Sequence, residues 1–89
     1  MKAIITVVGP DRVGIIAEVC TLLAEMRISV VEISQTIMEG TFTMIMLVES
    51  PPGAPEFGEV QRRLTDKSRE MGVAIRIQRE DIFNAMHTI

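Results

Sequence analysis

The stretch Val7-Val8-Gly9-Pro10-Asp11-Arg12-Val13-Gly14-Ile15-Ile16, residues 7–16, decides the fold because it holds a strand end, a sharp turn and a helix start. Residues 2–8 are β-branched and apolar at both alternating positions, which predicts a strand in the middle of a sheet. Gly9-Pro10 ends that strand. Asp11 is the predicted N-cap of the following helix, since its carboxylate can accept hydrogen bonds from the first-turn N–H groups.

The helix after this turn has two apolar stripes at spacings of three and four residues. The first contains Val13, Ile16, Ala17, Cys20, Leu23 and Ala24, and the second contains Ile15, Val19, Leu22 and Met26. The rest of the helix is a narrow polar edge, formed by Gly14, Glu18, Thr21 and Glu25. We expect a helix that is apolar over so much of its circumference to contact a second neighbour besides the sheet.

The remaining elements follow from alternation and turn residues. Residues 28–38 and 41–49 predict a β-hairpin around Glu39-Gly40, and its first strand suits an interface or a half-exposed position. Residues 50–55 predict a loop, residues 57–71 a helix ended by Gly72, and residues 73–78 a strand.

The order β-α-β-β-α-β predicts an α+β, ferredoxin-like sandwich, in which two helices cover one face of a four-stranded antiparallel sheet. All 89 residues form one predicted domain, with a core at about residues 2–79 and a tail at 80–89 that holds a predicted helical turn near residues 82–86. So short a chain buries a small core, which favours association with a second chain.

Composition narrows the function. A net charge of −3, three Phe and no Tyr or Trp argue against nucleic acid as a partner, and no apolar run approaches the length of a membrane span. The single cysteine and the lack of a secretory pattern at the first residues predict a cytoplasmic protein.

Residues suited to catalysis are few. His87 lies near the last residue without a neighbouring nucleophile, and Cys20 lies on an apolar stripe, where a thiol packs as a small hydrophobe. No C-x-x-C pair is present, which excludes the soft-metal carriers that share this strand order, and we predict no metal site and no cofactor. Because no conventional nucleophile and base are placed together, we also predict that the chain is not an enzyme. Acylphosphatases share this strand order and use an arginine and an asparagine, but the only asparagine here is Asn84, in the tail.

The turn before the first helix is the candidate site. Gly14 costs up to ~1 kcal/mol relative to alanine in a helix, so we expect a ligand or another chain to approach the backbone there. Helix N–H groups attract a carboxylate, and Asp11 could bind an ammonium group, which together describe a site for a zwitterion. The alternative is that Asp11 only caps the helix and Gly14 only relieves packing.

Gly9-Pro10-Asp11-Arg12-Val13-Gly14-Ile15-Ile16, an amphipathic helix and then residues 28–35 together resemble the opening of an ACT domain. The resemblance covers about residues 2–79 and is strongest to the free-standing single-ACT proteins of the UPF0237 family. It implies an amino-acid ligand bound between two domains. By position, it also implies a ligand-facing turn formed by Asp11, Arg12 and Gly14 with Ile15 behind them, whereas Ser29 and Val30 would face the ligand from the partner subunit.

These observations predict a regulatory module that is a homodimer or a tetramer, binds an amino acid and passes the signal to a separately encoded enzyme or other protein. Ligand binding would favour one dimer geometry over another. The alternative is an interaction module without a ligand that docks on a partner enzyme.

Overall fold

A computed structural model describes residues 1–80. Its elements are β1 (Lys2–Pro10), α1 (Ile15–Glu25), β2 (Ser29–Met38), β3 (Thr41–Glu49), α2 (Phe57–Met71) and β4 (Ala74–Arg79). The predicted β-α-β-β-α-β order is confirmed. The helical turn predicted near residues 82–86 lies outside the described residues.

The four strands form one antiparallel sheet in the order β2-β3-β1-β4. The strand β1 is central, as its unbroken apolar run predicts, and β2 and β4 are the two edges. At one end of the sheet Thr41 lies opposite both Pro10 and Met38, and at the other end Glu49 lies opposite both Lys2 and Ser29. The hairpin turn and the β1–α1 turn therefore share one end of the sheet.

The core lies between the two helices and one face of the sheet. Alternation along β1 buries Ala3, Ile5 and Val7, and the paired β3 positions Val48, Met46 and Met44 are buried with them. Each of the valine, isoleucine and methionine side chains buried this completely contributes about 1.5–3 kcal/mol relative to exposure. Within residues 1–80 no helix is both long and apolar enough to cross a membrane.

Of two helix boundaries predicted from the sequence, the start of α1 is wrong and the end of α2 is confirmed. The predicted start of α1 at Asp11 is wrong: the helix begins at Ile15, because Gly14 adopts a left-handed conformation with φ 91° that turns the chain into the helix. The predicted end of α2 is confirmed, with Gly72 just past Met71 at φ 71°.

The two stripes of α1 have different surroundings. The second stripe, Ile15, Val19, Leu22 and Met26, is buried in full. In the first stripe only Leu23 is buried, Ile16 and Cys20 are partly covered, and Val13 is 97% exposed in the preceding turn. The sheet and α2 therefore cover one stripe, and part of the other remains open to solvent.

Candidate functional site

The β1–α1 turn, residues 11–14, is held against the β2–β3 hairpin. The backbone N–H of Asp11 donates to the carbonyl of Gly40 over 2.9 Å. Glu39 and Gly40 both have positive φ (50° and 79°), which is the backbone of a type I′ hairpin turn. The position of the candidate turn is thus fixed by the hairpin, and not by the first helical turn alone.

Asp11 does not cap α1. The helix has no side-chain hydrogen bond at its N-terminus, and within residues 1–80 the Asp11 carboxylate has no hydrogen-bond or ion-pair partner. The alternative in which Asp11 only caps the helix is therefore wrong. An exposed, unpartnered carboxylate beside free helix N–H groups presents both signs of charge to solvent.

Arg12 crosses the start of the helix and pairs with Glu18. Its Nη2 lies 2.8 Å from Glu18 Oε2, and its Nη1 donates to the carbonyl of Val13 over 3.2 Å. The two side chains are 40% and 38% exposed, so the pair contributes at most about 1 kcal/mol to stability. A carboxylate from a ligand could compete with Glu18 for this guanidinium at little cost.

The space above Gly14 is bounded by the same pair. A Cβ at Gly14 would lie 3.9 Å from Glu18 Oε2, which is ordinary contact, so steric space does not require glycine here. The positive φ does require it. Ile15, next in the chain, is buried in the core and supports the turn from behind.

Ser29 and Val30 lie far from this turn within one chain. Both are exposed and begin β2 at the end of the sheet near Glu49, whereas the turn is at the end near Thr41. Nine steps of about 3.3 Å along β2 separate the two ends by roughly 30 Å. A single chain brings Asp11, Arg12, Gly14 and Ile15 together and leaves Ser29 and Val30 apart from them.

All ten residues of β2 are exposed, and they include large apolar side chains. Val30, Ile33 and Ile37 pair with the buried β3 residues Val48, Met46 and Phe42, so they share the helix-covered face. They nevertheless remain exposed, Val30 at 38%, Ile33 at 48% and Ile37 at 57%. Val31, also exposed, lies at a bulge in the register. An uncovered apolar edge strand is a ready surface for strand pairing.

Other candidate chemistry is sparse. Among residues 1–80 no group of three or more His, Cys, Asp or Glu side chains is placed to hold a metal ion. Cys20 is partly buried on α1. His87 and Asn84 lie outside the described residues.

Sequence reasoning missed two residues at the turn. Gly40 was assigned only to the hairpin, and Glu18 only to a solvated edge of α1. The contact of Arg12 with Glu18 spans six positions, which no helical spacing rule includes. The sequence signal for this contact is an acidic side chain, Glu18, in the first turn of the helix that follows Arg12.

Comparisons with known proteins agree with this geometry. The sequence model of the ACT domain matches residues 2–78. A UPF0237 protein of Listeria innocua is 52% identical over 89 residues, which cover all of both chains. An ACT domain protein from Streptococcus pneumoniae has a similar structure, with a TM-score of 0.83, 38% identity and 93% of each chain covered.

A formyltetrahydrofolate deformylase from Pseudomonas putida shares the fold at a TM-score of 0.78. Its identity to this chain is 21%, and the match covers 88% of this chain and 28% of the deformylase. This fold is therefore found both alone and as part of a longer protein.

Proposed function

The chain belongs to the ACT domain family and to the UPF0237 proteins, and on that premise we propose that it is a homodimeric regulatory module that binds an amino acid between two copies. ACT domains are regulatory modules that generally dimerise and bind small molecules. The amino acid, the particular dimer and a cytoplasmic partner enzyme are the further steps of the proposal.

The observation that carries the proposal is a separation along the sheet: the β1–α1 turn lies at one end of β2, and Ser29 and Val30 lie at the other end. A two-fold axis perpendicular to the sheet would pair β2 with β2 of a second copy in antiparallel fashion and keep all helices on one face. Antiparallel pairing places Ser29 of one copy beside Met38 of the other. Because Met38 lies at the end of the sheet that holds the β1–α1 turn, each dimer would contain two complete sites.

The same pairing would cover the apolar residues of β2. Val30 of one copy would approach Ile37 of the other, and the two Ile33 side chains would lie near the axis. Burial of these side chains stabilises the dimer at about 25 cal/mol per Å² of apolar surface. The unpaired N–H and C=O groups of both edges would also gain hydrogen-bond partners.

Each proposed site has the groups that a zwitterion requires. The Asp11 carboxylate would bind the ligand ammonium, and the N–H groups at the start of α1 with Arg12 would bind the ligand carboxylate. The left-handed backbone at Gly14 turns the chain into α1, and Ser29 and Val30 of the second copy would close the site. Ligand binding would regulate a partner only through different affinity for two dimer geometries.

The test is thermal unfolding against the twenty amino acids, with the mass measured by light scattering on the same samples. A ligand at 100 times its dissociation constant adds about 2.7 kcal/mol to the folded state. We expect a dimer, a rise in Tm with at least one amino acid, and loss of that rise in Asp11→Ala. The control Asp66→Ala removes the same charge from an exposed position on α2 and should keep the rise. A monomer at micromolar concentration, or no response to any amino acid, contradicts the proposal.

A second candidate is a docking module without a ligand, which the exposed edge of β2 also favours. A partner strand could add to this edge through main-chain hydrogen bonds. Stoichiometric co-purification with a partner, with binding indifferent to every amino acid, would select this function instead.

A further inference from the structure

An open cavity of about 520 Å³ lies at the opposite end of the sheet from the β1–α1 turn. It is lined by Met1, the loop and first turn of α2 at residues 50–58, and Arg79 at the end of β4. Three separate segments therefore meet here. The amino-acid site proposed above uses none of these residues.

The floor of the cavity includes the uncapped N-terminus of α2. The helix has no side-chain cap, and the carbonyl of Glu56 accepts only from Glu59 and Val60. The N–H groups of Phe57 and Gly58 precede the first helical hydrogen bond and have no acceptor within residues 1–80. A Cβ at Gly58 would meet nothing within 4 Å, so the approach to these N–H groups is open.

Ser50 is the independent sign of a ligand. It is only 8% exposed, and its main chain is fully engaged with Met1: its N–H donates over 2.9 Å and its carbonyl accepts from the amino nitrogen over 3.1 Å. Its hydroxyl has no partner among the described residues. Among the described residues, every side-chain polar atom that is sealed from solvent has a hydrogen-bond partner. Since the Ser50 hydroxyl has none, it is open to solvent, and we infer that it opens into the cavity that Ser50 lines.

Arg79 supplies positive charge to the lining of the cavity. Its guanidinium carbon lies 5.2 Å from the centre of the Phe57 ring, so the charge is held over the first residue of α2. Within residues 1–80 it has no carboxylate partner. The acidic side chain that lines the cavity is Glu56, which is exposed.

We propose that this cavity binds an oxyanion, a phosphate or carboxylate group, held by the N–H groups of Phe57 and Gly58, the Ser50 hydroxyl and the Arg79 guanidinium. Helix N–H groups and a guanidinium are donors without an acceptor, and a serine hydroxyl can donate as well. An oxyanion has enough lone pairs to accept from all of them. The site is distinct from the proposed amino-acid site and does not depend on it.

The experiment is an amide chemical-shift titration of the full chain with inorganic phosphate and, separately, with propionate, at constant pH and ionic strength set with sodium chloride. We expect saturable shifts at Ser50, Phe57 and Gly58 in the millimolar range for at least one probe. The tighter probe identifies the anion class. Absence of saturation with both probes would overturn the proposal.

Variants make the assignment specific. Ser50→Ala and Arg79→Gln should each weaken binding by up to about tenfold. Arg76→Gln is the matched control: it removes the same charge from an exposed residue of β4 that does not line the cavity, and it should leave binding unchanged. Equal weakening by Arg76→Gln and Arg79→Gln would show general charge attraction and overturn the site.

A gain-of-binding variant keeps the test valid if Ser50→Ala or Arg79→Gln unfolds. Glu56→Gln removes the acidic group at the cavity and should tighten anion binding by severalfold, whereas Glu59→Gln, which does not line the cavity, should not. Unchanged affinity in Glu56→Gln contradicts the proposal.

Discussion

The N–H of Asp11 donates to the carbonyl of Gly40 over 2.9 Å, which joins the turn that carries the candidate site to the hairpin turn 29 positions later. Both turns lie at the end of the sheet where β2 ends. We therefore expect a change in the hairpin turn to reach the backbone beside the Asp11 carboxylate, although within residues 1–80 no hairpin side chain forms a hydrogen bond or an ion pair with Asp11.

This bond leads to a prediction about Gly40→Ala. Gly40 has φ 79°, so an L side chain there costs about 1 kcal/mol although its Cβ would meet nothing within 4 Å. Gly53→Ala is the control, since Gly53 has φ 89° and equally open surroundings but lies in the β3–α2 loop. We expect both variants to lose similar stability in urea unfolding and only Gly40→Ala to reduce the rise in Tm caused by the amino acid. Equal effects of the two variants on that rise would show that the hairpin does not position the turn.

The edge of β2 gives a prediction about assembly. Ile33 is 48% exposed on the helix side of the sheet, and a lysine there would place a charge at the two-fold axis of the proposed dimer. We expect Ile33→Lys to be a folded monomer by light scattering. Ile45→Lys is the control, because Ile45 is similarly exposed (43%) on the opposite face of the sheet. A dimer that survives Ile33→Lys and dissociates in Ile45→Lys would place the interface on the open face instead.

Gly9 is required for a different reason from the glycines of the turns. Its φ is ordinary, but a Cβ there would lie 2.6 Å from Val73 Cγ1 and 3.2 Å from the Val73 Cα. Gly9→Ala should therefore cost about 1–3 kcal/mol by overpacking. Gly58→Ala, which has open space around it and lies within α2, should not destabilise the chain and should raise its stability by up to about 1 kcal/mol.

A double-mutant cycle separates this clash from a general intolerance at residue 9. Val73→Ala removes Cγ1, the nearest atom to the new Cβ, and keeps the Val73 Cβ at 2.9 Å, so Gly9→Ala should cost less in the Val73→Ala background than in the wild-type chain but should still destabilise it. Additive costs in denaturant unfolding would mean that the contact with Val73 Cγ1 is not the source of the loss.

Much of the fold was predictable because its signals are local. The apolar run of β1, the alternation of β3 and the glycine after α2 each determine an element through nearest neighbours in the chain. The start of α1 was not predictable in the same way, because aspartate is favoured both as an N-cap and in a turn that precedes a helix. Only the backbone at Gly14 shows that the helix begins four residues later.

The sites depended on contacts between distant residues. The resemblance implies one ligand-facing turn formed by Asp11, Arg12 and Gly14, and these residues lie together between β1 and α1. Their distance from Ser29, at the other end of the sheet, follows only from the strand register. The cavity was missed entirely, because Met1, Ser50 and Arg79 are brought together only by the register of three strands.

The pair of Arg12 and Glu18 leads to the last prediction. Glu18→Gln removes the carboxylate that lies 2.8 Å from the Arg12 guanidinium, which then becomes fully available to the carboxylate of a ligand. Since an exposed pair contributes at most about 1 kcal/mol, stability should fall only slightly and affinity for the amino acid should rise by up to about fivefold. Isothermal titration calorimetry measures this change.

Glu25→Gln is the matched control for that change. Glu25 is also on α1 and also pairs with an arginine, Arg63, at 3.5 Å, but it lies at the far end of the helix from the turn. We expect its affinity for the amino acid to equal that of the wild-type chain. If Glu18→Gln instead weakens binding while Glu25→Gln does not, the proposed competition is wrong. Glu18 then holds Arg12 in position for the ligand and does not compete with the ligand carboxylate.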